Sequence, residues 1–220
     1  MTSLFARSNF DWSRYLKSLK YALFVMRKPL TGFWDLIHEG YGTMAAAHTI
    51  VIAYIMVQVI ARTMTNFQFW NVNMETFNIV MVVLQIIIPL FLWCIANWSL
   101  TTLFEGKGKL SQIYMGVAYA MTPLVIIEIF LVFLSHVLTA AEGQIYFMLL
   151  SFSMLWFIVL VLCAMKEIHD YSFAKAIATS LVTIIAIGVI VFILVMFFAV
   201  ISDGVAYIMS LVQEIMFRFN

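Results

Sequence analysis

Glu128 is the one acid deep within a long apolar run of this chain, and a carboxyl group there has two uses. It can hold a proton or a polar solute, or it can donate as a neutral acid to a neighbouring helix. At ~1.5 Å per residue, Glu128 falls roughly 6 Å from the middle of its run, and Gln58 and Gln85 in the two preceding runs fall at about the same level. His48 and Asn97 fall together roughly 10 Å to the other side of the middle. The sequence therefore allows two polar layers; which side chains face each other is left open. Pro89 and Pro123 lie near the middle of consecutive runs and are candidate kinks, freeing the carbonyls of Gln85 and Tyr119.

Other chemistry is poorly supplied. His38, His136 and His169 are scattered along the chain, so no metal cluster is expected. Cys94 and Cys163 lie in apolar runs without a metal-type or redox spacing and read as small core residues. The GKGK at 106–109 lacks the strand and the Lys-Ser/Thr of a phosphate loop and reads as a basic turn. There is no GxSxG, no HExxH and no pair of intramembrane aspartates. No catalytic residue, metal or cofactor is expected, and no enzyme. A net charge of +1 gives no reason to expect a nucleic-acid partner.

The elements that position these residues follow from composition. The 220 residues are 65% hydrophobic and 10% charged, whereas soluble domains are about 45–50% apolar and about 25% charged. Lipid is the solvent that suits such a chain. Five runs, at about 44–64, 77–103, 112–138, 145–165 and 176–202, are long enough to cross it as helices. They are continuously apolar rather than alternating, which selects helices over a barrel. The first begins too late, and is too long, for a cleaved signal. The fold class expected is all-α, a polytopic bundle of five transmembrane helices.

Lys and Arg set the expected orientation. Arg7, Arg14, Lys17, Lys20, Arg27, Lys28, Lys107, Lys109, Lys166 and Lys175 fall on one side; Arg62 and Arg218 fall on the other. The N-terminus is then cytoplasmic and the C-terminus outside. Residues 1–43 form a cytoplasmic amphipathic segment with Trp12, Tyr15, Leu16, Leu19, Leu23 and Met26 at helical spacing, ended by Pro29. That stripe can lie on an anionic leaflet, or pack on a partner or on the chain's own loops. Residues 203–220 form an outer amphipathic tail with Ile208, Leu211, Val212, Ile215 and Phe219 on one stripe, suited to the bilayer surface or to another subunit.

The stretch Asn97–Leu124, NWSLTTLFEGKGKLSQIYMGVAYAMTPL, resembles the YIP family of Rab/Ypt-interacting five-span membrane proteins. The features that carry the resemblance are Asn97-Trp98, Leu-Thr-Thr-Leu, Gly106-Lys107-Gly108, and Ala118-Tyr119-Ala120 followed by Pro123. Lys28–Gly42, KPLTGFWDLIHEGYG, is similar to the pre-membrane segment of bacterial members. The resemblance implies a non-enzymatic membrane protein acting through partners. Eukaryotic members carry a long cytosolic N-terminal region; the 43 residues here fit a bacterial member in the cytoplasmic membrane. Some bacterial members are similar to proteins that accompany carbohydrate import systems.

The function expected is a scaffold or accessory subunit of a membrane complex. Its partners would be membrane lipids, other membrane subunits such as transporter permeases, or a second copy. The 20 Phe and 15 Met supply adaptable packing surface. The alternatives are a small solute or proton carrier or channel built on Glu128, and a bilayer-shaping membrane-traffic protein using the two amphipathic segments.

Overall fold

In a computed structural model, residues 11–70 and 77–219 are described, with side chains through Arg218. Arg7, the 71–76 part of the first connector and the Phe219 side chain of the tail stripe lie outside that set. The described residues form eight α-helices and one short 3-10 turn, with no strand among them.

The amphipathic segment becomes two helices. Asp11 caps the first, α1 (Trp12–Arg27), its carboxylate accepting from the Ser13 and Arg14 N–H groups at 3.0 and 3.1 Å. Pro29 ends α1 and opens α2 (Pro29–His38) at its first position, where a missing N–H costs nothing. The two close tightly because position 32 is glycine: a Cβ there would stand 2.8 Å from the Val25 Cα. This hairpin packs on the chain's own spans. Ala22, Val25, Phe33 and Leu36 share one core with Ile113, Tyr119, Ala164 and Met165 of the spans.

The face that docks differs from the expected stripe. Ser18, Ala22 and Val25 are buried, Tyr15 and Leu19 pack beside them, and Trp12, Leu16 and Leu23 stay exposed. Close approach between helices is easiest over small side chains, which leaves the bulky ones on the outside.

Five long apolar helical segments come next: α3 (Met44–Met64), α4 (Ile79–Leu103), α5 (Leu110–Ala120) continued by α6 (Thr122–Ser135), α7 (Gly143–His169) and α8 (Phe173–Phe219). The third is the axis of the bundle. Of its most apolar stretch 61% is buried inside the protein, against 28, 22, 28 and 0% for the others. Pro123 interrupts this segment at Met121, and the Thr122 hydroxyl donates to the Tyr119 carbonyl at 2.7 Å, satisfying the group the proline frees. Pro89, by contrast, sits inside α4, which continues through it.

The helix that holds the fifth span runs on through residue 202, where the span was expected to end, into the expected tail. α8 is a single helix of 47 residues. Nothing between Ala199 and Val212 breaks a helix: there is no proline, and a lone glycine such as Gly204 costs only ~1 kcal/mol.

Ser18 ties the N-terminal hairpin to the spans. Its hydroxyl lies 2.5 Å from that of Tyr119 and accepts from the N–H and hydroxyl of Thr43, the N-cap of α3, at 2.9 and 3.1 Å. Replacing Ser18 with Ala takes away the acceptor of the partly buried Thr43 N–H and leaves the Tyr119 hydroxyl only its longer contact, at 3.3 Å, to the Ser18 carbonyl. The expected cost is about 1–3 kcal/mol. Hydrogen exchange of the full chain in detergent should show faster exchange in α1 and α2 with α5 and α7 still protected; uniform protection in the variant would refute this linkage.

Candidate functional site

The candidate residues separate into a cluster near the connector at 104–109 and a cluster in the opposite half of the bundle. Both are built from polar side chains on different helices, each placed by the helix register of its own span.

At the first, hydrogen bonds run in one direction through four elements. The Gly108 N–H donates to His169 Nδ1 at 3.3 Å. His169 Nε2 donates to Asn97 Oδ1 at 3.0 Å. Asn97 Nδ2 donates to Thr183 Oγ1 at 3.1 Å, and Thr183 donates to the Thr179 carbonyl at 2.7 Å. Because Nδ1 accepts while Nε2 donates, His169 is the neutral Nε2–H tautomer. Asn97 and Thr183 are fully buried and His169 nearly so. The chain joins the connector, α7, α4 and α8.

The glycines of the connector make this possible. A Cβ at Gly106 would stand 2.7 Å from His169 Nδ1, and a Cβ at Gly108 would stand 2.7 Å from His169 Cε1. Tyr171 stacks on His169, its ring centroid 5.3 Å away, and donates to the Phe104 carbonyl at 2.9 Å. Lys107 faces outward and pairs with Asp170 at 2.8 Å. That hydrogen bond holds the Asp170 carboxyl below its usual range and raises the Lys107 ammonium. Trp98, next to Asn97, is exposed.

His48 does not join Asn97, although the rise per residue sets both at about one depth. His48 Nδ1 is hydrogen-bonded to the Tyr114 hydroxyl at 2.7 Å. The two residues sit on sides of α3 and α4 that serve different neighbours, which depth alone does not reveal.

The second cluster gathers Glu128, Gln58 and Gln85 with residues that depth alone does not single out. Gln58 Nε2 donates to Glu128 Oε2 at 2.6 Å and to the Tyr54 hydroxyl at 2.9 Å. Arg62 donates to Gln85 Oε1 at 2.8 Å. Tyr54, Gln58 and Arg62 are spaced i, i+4, i+8 and so share one face of α3; that spacing was the readable signal for Tyr54 and Arg62. Gln58, Arg62, Glu128, Tyr146 and Trp70 line a small cavity of about 150 Å³. Glu128 itself is 8% exposed. No ion pair joins Arg62 to Glu128 among the described residues.

Chemically, the first cluster is a set of satisfied hydrogen bonds that fixes helix positions. The second holds an acid and a guanidinium in one polar cavity and can take a proton or a small polar group. No group of three metal-type ligands occurs among the described residues.

Two outcomes test these roles. Asn97→Leu removes the acceptor of His169 and the donor to Thr183, and should lower stability by about 1–3 kcal/mol for the orphaned groups. In thermal unfolding in detergent, Asn97→Leu combined with His169→Phe should cost less than the sum of the two single changes; additive losses would show that the residues are not coupled. Glu128→Gln should leave unfolding within the range of ordinary surface changes, about 0.5 kcal/mol, whereas Glu128→Leu strands the Gln58 amide and should cost about 1–3 kcal/mol.

The connector that carries Gly106, Lys107 and Gly108 lies inside a longer match. Residues 23–212 match the family model described as Yip1 domain. No curated protein and no solved structure matches this chain. The match spans nearly the whole chain, from within α1 to within the last third of α8, and by it this integral membrane protein belongs to the Yip1 domain family.

Proposed function

We propose that this chain is a non-enzymatic accessory or scaffold subunit that binds another integral membrane protein through the distal half of α8. The observation that carries the reading is the length of α8 set against its cover. Its buried side chains are Ala176, Thr179, Ser180 and Thr183, all in its first three turns. From Val191 to Arg218 every side chain is exposed.

Lipid accounts for part of that exposure. A helix of 47 residues is ~70 Å long, against ~30 Å of hydrocarbon. The apolar run to Ser202 already exceeds the hydrocarbon thickness. Beyond Asp203 the helix still exposes Val205, Ile208, Met209, Leu211, Val212, Ile215 and Met216. Lipid tails do not reach such side chains on a straight helix, and water is a poor solvent for them. Another membrane protein lying against this end would cover them. The resemblance to proteins that accompany import systems makes a permease subunit the class of partner to seek.

A photo-crosslinking residue at Ile208, introduced in the full chain in native membranes, tests the idea. A single adduct of discrete mass is expected, recovered in stoichiometric amount. Ile208→Glu with Val212→Glu should abolish that co-purification without disturbing the elution of the chain itself. Lipid adducts alone would sink the proposal. A second reading rests on the cavity shared by Glu128 and Arg62, which is what a small carrier would use. A homo-oligomer together with solute flux into liposomes, lost in Glu128→Gln, would put that reading in its place.

A further inference from the structure

Beside the polar cavity lies a larger one of about 500 Å³, walled by α4, α5, α6, α7 and α8. Its size is that of a small-molecule site, ~300–1,000 Å³. Pro89, Met121, Phe157 and Leu181 are among its lining side chains, and the lining is almost wholly apolar. Three polar side chains edge it: Tyr54, Gln85 and Trp93.

The hydrogen-bond account at those edges is one-sided. The Trp93 indole N–H is buried and has no partner. Gln85 carries the contact to Arg62, whose Nε is also buried and without a partner. Tyr54 is already engaged by Gln58, and Glu128 Oε2 is taken by the same amide. The unpartnered polar atom among the lining side chains is therefore a donor, the Trp93 N–H, and the Arg62 guanidinium lies one hydrogen bond behind the lining residue Gln85. An indole N–H and a guanidinium accept nothing. What complements them is an acceptor-only head on a long apolar chain.

We infer that this cavity binds the acyl chain of an anionic amphiphile whose carboxylate or phosphate head is held by Arg62 at the Gln85 edge. Several observations converge on that ligand. The volume and apolar walls suit a flexible alkyl chain. Arg62 lines the smaller cavity and reaches the Gln85 edge of the larger one through its 2.8 Å hydrogen bond to Gln85 Oε1, and its planar donor fork matches a carboxylate or phosphate. The inference is independent of the proposed role of the distal half of α8, because Ile177, Leu181 and Ile184, the α8 residues that line the cavity, precede that region.

Quenching of tryptophan fluorescence by a brominated fatty acid tests it on the full chain in detergent. Bromine quenches at short range, so dibromostearate in the cavity should quench Trp93 saturably. That component should vanish in Trp93→Phe. The methyl ester of the same acid, which lacks the charge, should need at least tenfold more to reach half-quenching of the unaltered protein. Arg62→Gln should show the same loss for the free acid, Arg62→Lys should recover part of it, and Leu181→Phe should block the chain. Competition with unlabelled oleate and with phosphatidylglycerol separates the two sources: displacement by oleate alone assigns a free fatty acid, and displacement by phosphatidylglycerol assigns a lipid. Quenching that rises linearly without saturating, or that is the same in Trp93→Phe, overturns the site. Equal half-quenching by acid and methyl ester overturns the role of Arg62, and needs no variant to fold.

Discussion

The bundle depends on one constraint: a polar group buried at membrane depth has no water to turn to, so it must find its partner on another helix. Asn97 is the clearest case. It sits on a span that is otherwise apolar, and its amide presents both a donor and an acceptor. His169 of α7 takes one and Thr183 of α8 takes the other. With both ends engaged, α4 holds α7 and α8 at fixed rotation and height. His169 uses its remaining nitrogen on the connector between α4 and α5, so the loop is held to the same point. The glycines at 106 and 108 let the backbone pass close to the ring, in space that a side chain would contest with His169, with Thr101 and Tyr171 at 106 and with Ile168 at 108. Three side chains thus position three helices and a connector.

The same constraint organises the N-terminal hairpin and the opposite half of the bundle. Ser18 gives α1 a polar anchor on Tyr119 and on Thr43, the N-cap of α3, while Ala22 and Gly32 let the backbones approach. In the other half, Gln58 bridges Tyr54 and Glu128, and Arg62 reaches Gln85. The difference between the clusters lies in what is left over. Around Asn97, both ends of the amide and both ring nitrogens of His169 have partners within the chain. Around Arg62 and Trp93, donors remain beside cavities of about 150 and 500 Å³. A buried donor without a partner costs stability unless something else supplies the acceptor.

Much of this is legible in the residues, and the rest is hidden for identifiable reasons. The five crossings are readable because lipid demands a continuous apolar run, which leaves a one-dimensional signal. Depth is readable too: the arithmetic that sets Gln58 beside Glu128 needs only the rise per residue, and those two side chains meet at 2.6 Å. Azimuth is not readable, because a span that is apolar all round does not show which face meets which neighbour. Hence His48 and Asn97 share a level yet bond to Tyr114 and His169 instead of each other. Arg62 reads first as a topological charge, and the clue to its second role is the polar pair Tyr54 and Gln58 on the same helix face. On α1, large apolar side chains suggest the docking face, whereas close packing selects Ser18, Ala22 and Val25.

The end of α8 shows why length can carry a functional reading when composition cannot. An apolar helix surface in a membrane protein is uninformative by itself, since lipid is as good a neighbour as protein. The case is different where the helix outruns the bilayer. A continuous helix from Phe173 to Phe219 has no proline at which to turn, and its one charged pair near the end, Arg218 with Glu214 at 3.2 Å, lies along the helix and reinforces it. A bend at Ser202-Asp203-Gly204 would lay the last four turns on the membrane surface, where Gln213, Glu214 and Arg218 could meet water. Met209 and Met216 share the opposite side with Ile208, Val212 and Ile215, so the apolar stripe is broad, and its methionines adapt to an irregular surface. A straight α8 needs a protein partner along its distal turns, and a bent one needs only lipid. α8 is continuous through Ser202-Asp203-Gly204, the form that calls for a partner.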